Sequence, residues 1–125
     1  MQSKNNKEFS KILEVRTKRF AVEVLKFGKK VARSNEFDSI KNQLYRSATN
    51  IGANYREANR AKSRSDFRNK IRICEAEASE TFYWIEIIEE LIGDKNETIL
   101  SLKKESSELL ALFTSISNKL RVTKT

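Results

Sequence analysis

The chain has 125 residues, enough for one hydrophobic core and short for two. It carries 25 Lys+Arg against 17 Asp+Glu, a net charge of +8, three glycines, one cysteine, no histidine and no proline. That composition excludes a disordered tail, a disulfide scaffold and a membrane-spanning segment, since no apolar run approaches the roughly 20 residues a bilayer requires. Without proline to punctuate turns, long helices are expected.

Apolar spacing divides the chain into four. Leu13, Thr17, Phe20, Val24, Phe27 and Val31 step by alternating fours and threes. Ile40, Leu44, Ser47, Ile51, Asn54 and Ala58 keep the rhythm with smaller residues. Phe67, Ile71, Cys74, Ala78, Thr81, Ile85, Ile88 and Ile92 form the most regular series, and Ile99, Leu102, Ser106, Leu109, Phe113, Ile116 and Leu120 the last. A mean step of about 3.5 residues puts each series on one helix face. Four such seams in a short chain hide only against one another, which predicts an all-α, antiparallel up-down-up-down four-helix bundle as a single domain spanning residues 1–125.

The breaks agree with this division. Asp38 or Ser39 is expected to cap the second helix, Ser63 with Asp66 to open the third, and Asp94 with Glu97 to open the fourth after Gly93, a left-handed terminator. The predicted helices cover 7–34, 38–62, 64–92 and 95–121, with fraying over 122–125. Gly52, beside Ser47, Ala48 and Ala53, is expected to let a neighbouring helix approach closely.

Antiparallel order gathers charge. The start of helix one, the end of helix two, the start of helix three and the end of helix four share one pole. There, 16 bases (Lys4, Lys7, Lys11 and Lys124 among them) face only Glu8, Glu14, Glu57 and Asp66. Arg16, Arg19, Arg56, Arg60, Lys62, Arg64, Arg68 and Arg72 are the candidate phosphate contacts. The plainer reading is a solvated basic surface. Tyr55, beside Arg56, offers a base-stacking ring, although a tyrosine at a helix seam is more often a packing residue.

Catalysis is not expected. Without histidine the usual general base and commonest metal ligand are missing, and Glu77-x-x-Glu80 lacks the imidazole of a bundle iron site. Cys74 reads as a core residue, and no glycine-rich phosphate loop exists, so no cofactor or metal is expected. The absence of an uninterrupted hydrophobic region near the N-terminus predicts no secretory signal, and the single cysteine suits a cytoplasmic location. Ile73, Ala76, Trp84, Ile87 and Leu91 make a second stripe on helix three, with Tyr83 alongside. Either it meets another subunit, with Trp84 as anchor, or it is a broad seam inside one bundle. No helix shows the wide exposed apolar face that membrane attachment requires.

Residues 45–92 carry a family resemblance. Tyr45-Arg46-Ser47-Ala48-Thr49-Asn50-Ile51-Gly52-Ala53-Asn54-Tyr55-Arg56-Glu57-Ala58, then Ser65-Asp66-Phe67 and Ile71-Arg72-Ile73-Cys74-Glu75-Ala76-Glu77-Ala78-Ser79-Glu80-Thr81, resembles the bacterial four-helix bundle protein family. That family includes proteins encoded in intervening sequences of large-subunit ribosomal RNA genes and the accessory variability determinant of diversity-generating retroelements. Many relatives carry Asn-Ile-Ala-Glu-Gly where this chain has Asn50-Ile51-Gly52-Ala53-Asn54, a subgroup difference. The resemblance implies a homopentamer, a basic surface that binds nucleic acid, contact with a reverse transcriptase in the retroelement branch, and no enzymatic activity. An adaptor that recruits a protein partner is the competing expectation.

Overall fold

The computed structural model describes residues 2–31, 33–93 and 96–122, with side chains from residue 6 to residue 121. Its elements are four helices: α1 (Gln2–Lys30), α2 (Asn35–Asn59), α3 (Arg64–Ile92) and α4 (Glu97–Val122). The Lys4 side chain, Asp94 and Lys124 lie outside the described residues.

Side-chain caps set where the helices begin. Ser34, not Asp38 or Ser39, caps α2: its Oγ accepts the Phe37 N–H at 3.1 Å. Ser63 does the same for α3, accepting from the Asp66 N–H at 3.0 Å. Asn96 Oδ1 takes the Ile99 N–H at 2.9 Å, so α4 opens on Asn96. Each cap satisfies an orphan donor of a first turn.

Claiming these caps shortens the helices before them. α1 stops at Lys30, not 34, because Ser34 belongs to α2 and the buried Lys41 ammonium donates to the carbonyls of Gly28 and Val31. α2 stops at Asn59, not 62, its last turn tightened by Arg60 N–H to Glu57 O and Ala61 N–H to Ala58 O, each 3.0 Å. α3 ends at Gly93, where φ is 96° and ψ 153°. That is positive-φ but extended backbone, not the expected left-handed helical turn, and glycine alone adopts it readily.

Partners run in opposite directions along neighbouring helices. From α1 to α2, Glu14 meets Asn59, Thr17 faces Gly52 and Gly28 lies under Tyr45. From α2 to α3, Glu57 meets Lys70, Ile51 meets Cys74 and Ser47 meets Thr81. From α3 to α4, Glu75 meets Thr114 and Glu89 meets Lys103. The bundle is therefore antiparallel. α2–α3 is the most extensive pairing and α1–α4 the thinnest, while the backbones of the diagonal pairs α1–α3 and α2–α4 stay apart among the described residues.

The predicted seams form the core. Val24, Leu44, Ile51, Ile71, Ile85, Ile88, Ile99, Leu109 and Phe113 are fully enclosed. Each such side chain contributes about 1.5–3 kcal/mol by leaving water. On α2 the seam passes through Tyr55, not Asn54; the Tyr55 ring sits edge-on to Phe113 with centroids 5.5 Å apart. Asn54 turns aside and donates to the Asn50 carbonyl.

Candidate nucleic-acid interface

The end formed by the start of α1, the α2–α3 turn and the end of α4 holds the predicted cations, and the cap at Ser63 fixes its centre. Freed from helix by that cap, residues 60–63 project Arg60 and Lys62 into solvent. Arg56 lies one turn back. With Lys18 it flanks a shallow groove of about 330 Å³ between α1 and α2, floored by Thr17, Ala21, Thr49, Gly52 and Ala53. Gly52 makes this groove: a Cβ there would lie 3.0 Å from Thr17 Oγ1 and 3.2 Å from Thr17 Cβ. Arg56, Arg60, Lys62 and Lys18 are exposed and enter no ion pair among the described residues. Their charge is therefore open to a polyanion.

The remaining candidates divide. Arg19 is exposed one residue beyond Lys18, on the side turned toward α4, and Arg64 is exposed in the first turn of α3. Arg72 is exposed too, but Lys70 points at Glu57 of α2, and about 200° of helical rotation turns Arg72 away from that helix. Arg68 is half-buried. The eight candidates thus share an end of the bundle without sharing a face: they form a crown over α1, α2, the α2–α3 turn and α3. Arg16 must be removed from the set. Its guanidinium is held by Glu105 and Glu108 of α4, whose charges raise its pKa further, and it clips two helices together. Those two carboxylates lie level with Arg16.

Tyr55 cannot stack on a base. It is 2% exposed, and burial raises its pKa. Cys74 is likewise enclosed, its thiol pushed up to about 12 by burial, which removes it as a nucleophile near neutral pH. Burial beside Glu80 raises the Glu77 carboxyl, which accepts from Asn50 Nδ2. No group of three or more His, Cys, Asp or Glu side chains able to hold a metal occurs among the described residues. At the opposite end, a cleft of about 410 Å³ is lined by Gly28, Lys29, Arg33, Asp38, Lys41, Asn42 and Tyr45.

The predicted subunit-contact stripe on α3 is split. Trp84 packs partly against its own core and its Nε1 donates to Glu80 at 3.0 Å, whereas Ile73 and Leu91 are exposed and Ile87 is intermediate. Phe9, Ile12, Val15, Val22 and Leu25 are also exposed on α1, interspersed with the exposed Lys11, Lys18, Lys26 and Lys29. The sequence signal for them is the i,i+3 spacing of 9, 12 and 15 and of 22 and 25. No helix among the described residues is long and apolar enough to cross a membrane.

These four helices define a small all-α protein, an antiparallel four-helix bundle with a cationic end. Residues 5–115 match the family described as 23S rRNA-intervening sequence protein, and the chain belongs to that family. Among solved structures it is similar to a protein of unknown function from the S23 ribosomal protein family of Bacteroides thetaiotaomicron. The two share 36% identity and a TM-score of 0.75, over 83% of this chain and 96% of that one. No functionally curated protein matches the chain.

Proposed function

We propose that this chain is a non-enzymatic accessory protein whose cationic end binds nucleic acid through phosphates, with little preference for sequence. The observation that supports this is the group Lys18, Arg56, Arg60 and Lys62, exposed at one end and unpaired among the described residues. Side chains spaced this way neutralise several phosphates together, while the neighbouring Asn59 amide is engaged by Glu14 and the Tyr55 ring is buried, so neither is set to read a base. The family takes its name from an intervening sequence of 23S rRNA, which makes RNA the first polyanion to try. In a retroelement setting the same end would meet the nucleic acid of a reverse transcriptase. Titration of labelled RNA and DNA from low to high salt tests the reading. Each phosphate contact contributes a slope of about −0.7 to −0.9 in log K against log salt. A flat response, or no binding at low salt, rejects it.

A second reading, a self-associating adaptor that recruits a protein partner, draws on the exposed apolar residues of α1 and α3. The two readings are compatible: an oligomer, a homopentamer if the family resemblance holds in full, would bring several cationic ends together. Pull-down after nuclease treatment separates recruitment of protein from recruitment of nucleic acid.

A further inference from the structure

Three of the four helix junctions are crossed by ion pairs: Glu57 to Lys70 between α2 and α3, Glu89 to Lys103 between α3 and α4, and Arg16 to Glu105 between α1 and α4. None joins α1 to α2 among the described residues. The outer groove of that junction opens into three hollows in line. One of about 280 Å³ lies beside Lys7 and Lys11, one of about 330 Å³ beside Lys18 and Arg56, and the cleft of about 410 Å³ beside Lys29 and Arg33.

The turn of the helix produces this alignment. At about 100° per residue, Lys7, Lys11, Lys18 and Lys29 fall within about 40° of one another around α1, and all four are exposed. The two carboxylates that line the hollows are already engaged. Glu14 accepts from Asn59 Nδ2 at 2.9 Å, and Asp38 lies 3.5 Å from the Lys41 ammonium and 3.9 Å from Arg33. Lys7 and Lys29 are about 33 Å apart along the helix axis. Ala21 and Leu25 leave about 16 Å of this row, between Lys18 and Lys29, without a cation. The cations therefore form two clusters on one line.

We infer that one nucleic-acid strand lies lengthwise in the α1–α2 groove, from the cationic end to the cleft at Lys29 and Arg33. This rests on the phosphate-binding reading above and names its occupant as single-stranded. A single strand bends freely enough to keep its phosphates along a straight groove, and this length suits the roughly 4–16 nucleotides of single-strand sites. In a duplex each strand winds once about the axis in roughly 34 Å, so its phosphates face such a groove over only part of the way. Lys29 and Arg33 thereby join the site although they stand at the other end of the bundle.

Salt titrations with oligouridylates of about 4 and about 12 nucleotides test this, since only the longer strand reaches both clusters. Lys29→Gln with Arg33→Gln removes two exposed cations from the far cleft. On the longer strand the slope of log K against log salt should shrink by about 1.4, two contacts at about 0.7 each. On the shorter strand, held between Lys18 and Arg56, the slope should not change. Asn42→Asp, which puts a carboxylate into the cleft and spares both cations, should weaken the longer strand alone. A duplex of the longer length should bind less tightly than the strand. If neither variant alters binding of the longer strand, lengthwise seating is overturned while nucleic-acid binding at the cationic end stands. A duplex bound as tightly as the strand overturns the single-stranded occupant. No binding of any of these probes at low salt overturns both readings.

Discussion

The Arg16 guanidinium of α1 holds Glu105 of α4 in a two-pronged grip, Nε to Oε2 at 2.6 Å and Nη2 to Oε1 at 2.8 Å, and Nη2 also reaches Glu108 at 2.8 Å. This is the junction where helix packing is thinnest, so the clip matters more there than elsewhere. Arg16→Ala should lower stability by about 1 kcal/mol, near the upper end for partly exposed ion pairs. Urea melts measure that loss. The salt dependence of RNA binding should stay as in wild type, because this guanidinium is already occupied.

The reverse is expected of the α2 end. Replacing Arg56, Arg60 and Lys62 together by glutamine should leave the melt nearly unchanged. The slope of log K against log salt should shrink by about 2–3. An unaltered slope would move the phosphate contacts away from this end.

Gly52 sets how close α1 and α2 come. Gly52→Val would drive a branched side chain into Thr17, itself fully buried and bonded to the Leu13 carbonyl at 2.9 Å. A loss of about 1–3 kcal/mol is expected from such overpacking. Thr17→Ala in the same chain should recover part of it, which a double-mutant cycle reads directly.

Alkaline pH should weaken the fold. The Cys74 thiol rises from an ordinary 9.0 to about 12 on folding, chiefly through burial. Between those values the unfolded chain gives up a proton that the folded one keeps, so stability falls as pH climbs above 9. For this group alone the slope is about 1.4 kcal/mol per pH unit. Tyr45 and Tyr55, also raised by burial, act in the same direction. Denaturant midpoints at pH 7, 9 and 10 should fall in that order. Cys74→Ala, whatever its cost in packing, should make the decline shallower.

The fold was legible because the same heptad spacing runs through all four segments, and the seam residues named from spacing are buried except Asn54 and, toward the helix ends, Ile40, Phe67, Ile92, Ile116 and Leu120, which are half-buried. Helix ends were less so. Several Ser, Asn and Asp residues compete for each cap, and the winner depends on where the neighbouring helix stops: Ser34 prevails over Asp38 because Lys41 already closes α1. The fate of individual cations was hidden for a similar reason. A linear count cannot tell Arg16, clasped by α4, from Arg56, free beside a groove. Tyr55 and Asn54 are adjacent, so a shift of one position in the seam exchanged a core ring for a solvent-facing one.

Ser47 and Thr81 meet inside the bundle, Oγ to Oγ at 2.9 Å, both fully enclosed. Hydrocarbon seams of equal period tolerate slippage by a turn, but this hydroxyl pair does not. A displacement of about 5.4 Å would break this bond and leave each hydroxyl only the carbonyl of its own helix, Leu44 for Ser47 and Glu77 for Thr81. The pair therefore acts as a detent that fixes the height of α2 against α3 independently of the short connector joining them. Extra residues inserted between Arg60 and Ser63 should push Lys62 outward on a longer tether while the two helices keep their mutual registration.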